Sequence, residues 1–258
     1  MPGRILRRLI VHESRLRWPV PDDLPGRIRD TEVLACERRG KYLLIRFAQG
    51  TQIVHLGMSG SLRRVPMDEP LRKHDHVEWL FDDARFLLHD PRRFGAVLWH
   101  PAEAGAIEAH PLLAGLGIEP FDPAFTPGFL HAGLRGRRQS VKQLLLGGRI
   151  VVGVGNIYAS ESLFLAGIDP RLPGARVSRP RSARLHAAIL QTLGQALESG
   201  GSTLRDYVNA QGAPGAYFTL HAAVYERDGR PCPRCATPIR RIVQGQRATY
   251  FCPNCQKR

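Results

Sequence analysis

Val151-Val-Gly-Val-Gly-Asn-Ile-Tyr-Ala-Ser-Glu-Ser-Leu-Phe164 is the stretch on which the reading of this chain turns. Two glycines one residue apart let the backbone turn tightly. The run from Ile157 to about Leu165 then reads as a helix, with Asn156 placed to cap it. A second short helix, from about Ser140 to Leu146, precedes the turn. Thr126 to Arg149 brings Arg135, Arg137, Arg138, Lys142 and Arg149 with no acidic residue. Alone, a Gly-x-Gly turn is no more than a tight interhelical connection. Beside five cations, the outward N–H groups of a capped helix make an anion-binding end.

Working outward, the chain becomes helical from about Leu112. Its clearest helix runs from Ser178 to Ser199, where Leu185, Ala188, Ile189, Thr192, Leu193, Ala196 and Leu197 share one face and read as core packing. Ser178 is the expected N-cap and Gly200 the expected stop. Before it, from Arg4 to about Trp99, the pattern is one of short strands: 33–36, 42–47, 52–56, 77–81, 85–89 and 96–99. The fold class expected is α+β: an N-terminal β-sandwich over residues 1–112, a helical domain over 113–225 and a cysteine-rich β-hairpin over 226–258.

That last segment carries the strongest local signal. Cys232-Pro-Arg-Cys235 and Cys252-Pro-Asn-Cys255 are two Cys-x-x-Cys knuckles with room for a hairpin between them. The spacing brings four thiolates to one tetrahedral centre, so Cys232, Cys235, Cys252 and Cys255 are read as the ligands of one structural zinc. Cys36, alone in a strand-like context, is read as a small buried hydrophobe. From Arg227 onward, Arg227, Arg230, Arg234, Arg240, Arg241, Arg247, Lys257 and Arg258 face only Asp228, so the metal-stapled hairpin is expected to touch phosphates.

The whole chain has the same bias. Its 258 residues carry 37 Lys and Arg against 23 Asp and Glu, a formal charge of +14, which points to a polyanionic partner. No apolar run is long enough to span a bilayer and no secretory signal is visible, so the reading is a cytoplasmic nucleic-acid-binding protein.

The residues now named, together with Arg15-Leu-Arg-Trp-Pro19, Arg39-Gly-Lys-Tyr-Leu43, His55-Leu-Gly-Met-Ser-Gly-Ser-Leu62, Lys73-His-Asp-His-Val77, Asp90-Pro-Arg-Arg-Phe-Gly95 and Gln246-Arg-Ala-Thr-Tyr-Phe-Cys252, stand in the order of the formamidopyrimidine-DNA glycosylase and endonuclease VIII family. The chain resembles that family over nearly its whole length, with Val151 to Phe164 similar to its helix, two-turn, helix signature. The resemblance implies base excision from duplex DNA by base flipping and Schiff-base chemistry, with strand cleavage at the resulting abasic site. It implies Lys41 as acid of the first elimination and Arg247 as acting in the second. Met58, Arg92 and Phe94 match the side chains that fill the hole left by the extruded base. An unbranched apolar chain and a ring can replace lost stacking, and a guanidinium can hydrogen-bond the orphaned base. His74, Arg138, Lys142, Asn156 and Arg247 match positions that hold the DNA backbone, and Arg92 is a DNA-binding residue through its place in the wedge. The loop Asn209 to Phe218 resembles that of the formamidopyrimidine branch, which implies oxidised purines such as 8-oxoguanine and formamidopyrimidines; an endonuclease VIII-like preference for oxidised pyrimidines is the alternative substrate class. The partner implied is duplex DNA with oxidised bases or abasic sites, bound by a monomer.

The chain departs from the family at its start. The family opens with Pro-Glu-Leu-Pro-Glu-Val-Glu and a helix, whereas Met1-Pro2-Gly3 stands where that helix has ended. Two readings follow: a working enzyme whose N-terminal catalytic segment lies upstream of Met1, or a DNA lesion or abasic-site binding protein without the usual nucleophile. Gly3 supplies no carboxyl group beside Pro2, so the nucleophile's role is not carried onto Pro2.

Overall fold

The computed structural model describes residues 1–201 and 216–258. They form two compact units, Met1–Ala114 and Gly115–Gly200 with Ala216–Arg258. The expected loop Asn209 to Phe218 lies outside the described residues as far as Gly215.

The first unit is a β-sandwich. After the two strands β1 (Arg4–Leu6) and β2 (Arg8–Val11) and one helical turn, α1 (Leu24–Arg27), it continues through β3 (Thr31–Val33), β4 (Ala35–Arg39), β5 (Tyr42–Phe47), β6 (Gly50–His55), β7 (Ser61–Val65), β8 (Asp75–Leu80), β9 (Arg85–His89) and β10 (Ala96–Pro101). One antiparallel sheet has the order β10-β6-β5-β4, the other β2-β8-β9-β7, and β1 pairs with β3. Alternation sends Ile45, Phe47 and Val54 from one sheet and Val77, Trp79 and Leu88 from the other into a single apolar core. Cys36 is half-buried at its edge, and burial pushes its thiol pKa up. The chain changes sheet twice at one end of the sandwich, from β6 to β7 and from β9 to β10. His55 pairs with Ala96 in the first sheet and Ser61 with His89 in the second, so both crossovers start and finish side by side.

The second unit holds α2 (Pro127–Leu134), α3 (Val141–Leu146), α4 (Asn156–Leu165), α5 (Arg179–Glu198), α6 (Tyr217–His221), β11 (Arg240–Gln244) and β12 (Arg247–Phe251). Thr126, Ser140 and Ser178 cap α2, α3 and α5 by accepting the N–H of Phe129, Gln143 and Arg181. The apolar face of α5 packs on α2 and α4 as its spacing predicts, except that Leu197, in the last turn, is exposed. The cap of α4 also differs from expectation. Gly155, extended and without a side-chain bond, is the capping residue, and Asn156 is the first residue of the helix. No described helix is long and apolar enough to cross a membrane.

Candidate nucleic-acid interface and metal centre

In the second unit four cysteine sulfurs lie within 4.8 Å of one another. Cys232 Sγ is 3.9 Å from Cys255 Sγ, and Cys235 Sγ is 3.5 Å from Cys252 Sγ. A disulfide needs about 2 Å between sulfurs. Four thiolates at the usual Zn–S length of about 2.3 Å form a tetrahedron with edges of about 3.8 Å, so the set fits zinc. Each knuckle also aims a backbone N–H back at a sulfur, Arg234 N at Cys232 and Cys255 N at Cys252, both at 3.4 Å. These donors temper the charge that four thiolates concentrate. The centre is closed, as a structural site should be, and the four cysteines hold one structural zinc.

From that anchor β11 and β12 run to a two-residue turn. Gly245 and Gln246 take φ of 52° and 62°, the left-handed pair that matches strand twist in a tight hairpin. Arg247 follows at once and is exposed. The hairpin is bonded to the helices beneath it. Asn156 Nδ2 donates to the Ala248 carbonyl at 3.0 Å and to the Tyr225 hydroxyl at 3.2 Å, and its buried Oδ1 has no hydrogen-bond partner among the described residues. Gln244 Nε2 donates to Ser140 Oγ at 3.2 Å.

Lys142 is where the structure departs furthest from the sequence. A phosphate contact is expected of it; instead it is fully buried, and its Nζ donates to the Ala248 carbonyl at 2.9 Å and to Thr249 Oγ1 at 2.8 Å. Burial, and secondarily the Arg247 guanidinium, bring its pKa down to about 7. An amino group so enclosed holds the hairpin rather than reaching outward, because a desolvated cation is tolerable only where acceptors replace water. Arg138 is exposed, as are Arg135, Arg137 and Arg149, and Arg137 Nε also donates to the Gly133 carbonyl at 2.8 Å.

Sequence reasoning missed Glu161. On α4, almost wholly buried, it accepts the N–H groups of Ala223, Val224 and Tyr225 at 2.8 to 3.0 Å. Burial raises its pKa while those three donors pull it down. The available signal was an acid in the otherwise small and apolar run Ala159-Ser-Glu-Ser-Leu-Phe164.

In the first unit the wedge candidates fall on the two crossovers. Met58 lies in the β6–β7 crossover and is 61% exposed; Arg92 and Phe94 lie in the β9–β10 crossover, with Phe94 43% exposed. The Arg92 guanidinium sits 4.7 Å from the centre of the Phe94 ring. Lys41 is exposed in the tight turn between β4 and β5, after Gly40 at φ 60°. Burial lowers the pKa of His55, and Arg17 and Lys41 lower it further. His74, at φ 77°, packs edge-on against His76 and His89, and burial followed by Lys73 lowers its pKa. Each unit thus presents its own candidates on short turns.

Comparison with known proteins gives these sites a context. Residues 1–97 match the formamidopyrimidine-DNA glycosylase N-terminal domain, residues 116–208 the formamidopyrimidine-DNA glycosylase H2TH domain, and residues 229–258 the zinc finger found in FPG and IleRS. The chain is 70% identical over 256 residues to the formamidopyrimidine-DNA glycosylase of Bordetella pertussis, covering 99% of this chain and 93% of that one. The Burkholderia lata protein of the same name is 59% identical over 257 residues with the same coverage. Among solved structures, a point mutant of Lactococcus lactis FPG in complex with a Fapy-dG containing DNA superposes with a TM-score of 0.88 at 29% identity, covering 100% of this chain and 94% of that one. The MutM (FPG) protein of Thermus thermophilus gives 0.86 at 36% identity, covering 99% and 92%. This chain belongs to the formamidopyrimidine-DNA glycosylase family.

Proposed function

We propose that the protein is a base-excision repair DNA glycosylase with abasic-site lyase activity that removes oxidised purines, 8-oxoguanine and formamidopyrimidines, from duplex DNA. The observation that carries this reading is the exposure of Met58 and Phe94 on paired crossovers, with Arg92 stacked on the ring. Large apolar side chains at the tips of short, well-packed turns are costly in water and suit insertion into a base stack. The zinc-bound hairpin and the exposed cations Arg138 and Arg247 would supply a grip on phosphates that weakens with salt. Asn156 and the buried Lys142 would shape that grip from beneath the hairpin, while His74 and Arg92 would add contacts from the sandwich.

Lys41 and Arg247 are proposed as the groups that assist the two eliminations, Lys41 from an exposed turn of the first unit and Arg247 from the exposed start of β12 in the second. The functional division is placed at 1–112, 113–225 and 226–258, and the protein is taken to work as a cytoplasmic monomer. Borohydride trapping on a duplex with one 8-oxoguanine tests the reading. A covalent adduct and strand cleavage support the enzyme. Gel-shift binding with neither, by this exact chain, supports a lesion or abasic-site binding protein. Excision of thymine glycol in preference to 8-oxoguanine would move the substrate class to oxidised pyrimidines.

A further inference from the structure

We infer that Asp90 is the positioning residue that locks the two crossovers together and so holds Met58, Arg92 and Phe94 in the arrangement that displaces a base. The inference rests on the wedge reading above and adds a residue that touches no DNA. Asp90 is the first residue after β9 and has no exposed surface. It is held from three sides. Its N–H donates to the His74 carbonyl at 3.0 Å, its carbonyl lies 2.9 Å from His76 Nε2, and its Oδ2 accepts the Gly95 N–H at 2.7 Å. That last bond closes the loop Asp90 to Gly95 into a ring with Arg92, Arg93 and Phe94 on its outer arc. Arg93, at φ 54°, takes the left-handed turn the closure needs.

The closed loop is then a wall for the other crossover. Gly57, at φ 68°, lies so close to it that an added Cβ would stand 2.7 Å from the Phe94 carbonyl carbon and 2.8 Å from the Gly95 nitrogen. A Cβ on Gly95 would stand 2.8 Å from the His55 carbonyl oxygen and 2.9 Å from Asp90 Oδ2. The Met58 turn thus packs backbone to backbone on the peptide that Asp90 fixes. Asp90 Oδ1 is buried with no hydrogen-bond partner among the described residues. A core does not bury half a carboxyl unpaired for stability alone, since such a group costs free energy; here the other oxygen sets the geometry of a functional loop.

The test uses the whole zinc-loaded chain and a duplex with 8-oxoguanine opposite pyrrolocytosine, whose emission rises when its partner leaves the stack. Wild type is expected to raise the emission, and the double variant Met58→Ala, Phe94→Ala to abolish most of the rise. D90A should cut the rise about tenfold, as loss of a buried hydrogen bond with its acceptor allows. D90N, which keeps an acceptor for Gly95, should stay within about twofold of wild type. If the double variant behaves as wild type, the wedge reading fails; if it does not and D90A still matches wild type, the inference about Asp90 is overturned. Amide hydrogen exchange on wild type guards against a D90A that does not fold. The Gly95 amide should exchange as slowly as those of β10, and exchange as fast as that of Arg92 and Phe94 would overturn the inference.

Discussion

The two units solve one problem in opposite ways. Each must hold a short turn rigidly enough to present exposed side chains. The sandwich does it with apolar area and close backbone fit: its crossovers spring from neighbouring strands over a core that includes Trp79, Phe47 and Leu88, and glycines let them touch. The finger has too little apolar material for that. Its own cluster, around Phe164, Tyr225, Ile239 and Tyr250, includes two of the cysteines themselves; the hairpin is tied down by a metal and by the polar groups of Lys142 and Asn156, while Glu161 holds the segment Ala223 to Tyr225 that leads into it. A small module gains its rigidity from specific bonds, and such bonds can be broken singly.

The largest effect should come from the metal. Replacing Cys252 by Ser removes a ligand from a closed centre whose zinc contributes on the order of 10 kcal/mol to folding in small fingers. Atomic absorption should show most of the zinc gone, and duplex affinity at low salt should collapse, while the sandwich keeps its melting transition. Equal zinc content in the variant would contradict this.

The sandwich should yield instead to a single methyl group. Gly57→Ala adds a Cβ against the Phe94 and Gly95 backbone at a left-handed φ, and about 2 kcal/mol of stability should be lost, read as a lower midpoint in urea with an unchanged slope. Zinc content should not move.

A pH titration separates the units again. The pKa of Lys142 is lowered to about 7 in the fold against 10.5 as its ordinary value, so between those limits the unfolded chain binds more protons. Stability of the second unit should therefore rise with pH from about 7 to about 10, by at most about 1.4 kcal/mol per pH unit, and level off below 7 where both states are charged. Lys142→Met should flatten the slope; an unchanged slope would assign the dependence to other groups, the thiols first. The smallest effect is expected at the surface: Arg138→Ala should weaken duplex binding alike for all sequences and reduce the slope of log affinity against log salt by about one.

Much of the candidate site was legible from residue order. The Cys-x-x-Cys pairs named their metal because four soft ligands at that spacing leave few alternatives, and the β then α order followed from the change in hydrophobic period. Strands β1, β2 and β7 were weaker signals, being short and rich in charge: Arg4–Leu6, Arg8–Val11 and Ser61–Val65 gain their strand character from pairing with β3, β8 and β9. Asn156 looked like a helix cap because Asn is favoured there, but its amide is engaged by Ala248 and Tyr225 from distant parts of the chain.

By itself, then, the sequence determined what is local or combinatorial: the charge, the zinc ligands, the turns and the family. Only tertiary structure decided which polar groups reach solvent. Lys142 reads as a phosphate contact in one dimension and nothing in the residue order marks Glu161 or Asp90 as enclosed, yet each lies buried because residues from elsewhere in its unit close over it. Desolvation is a property of what surrounds a group in space, and the order of residues along a chain does not contain it.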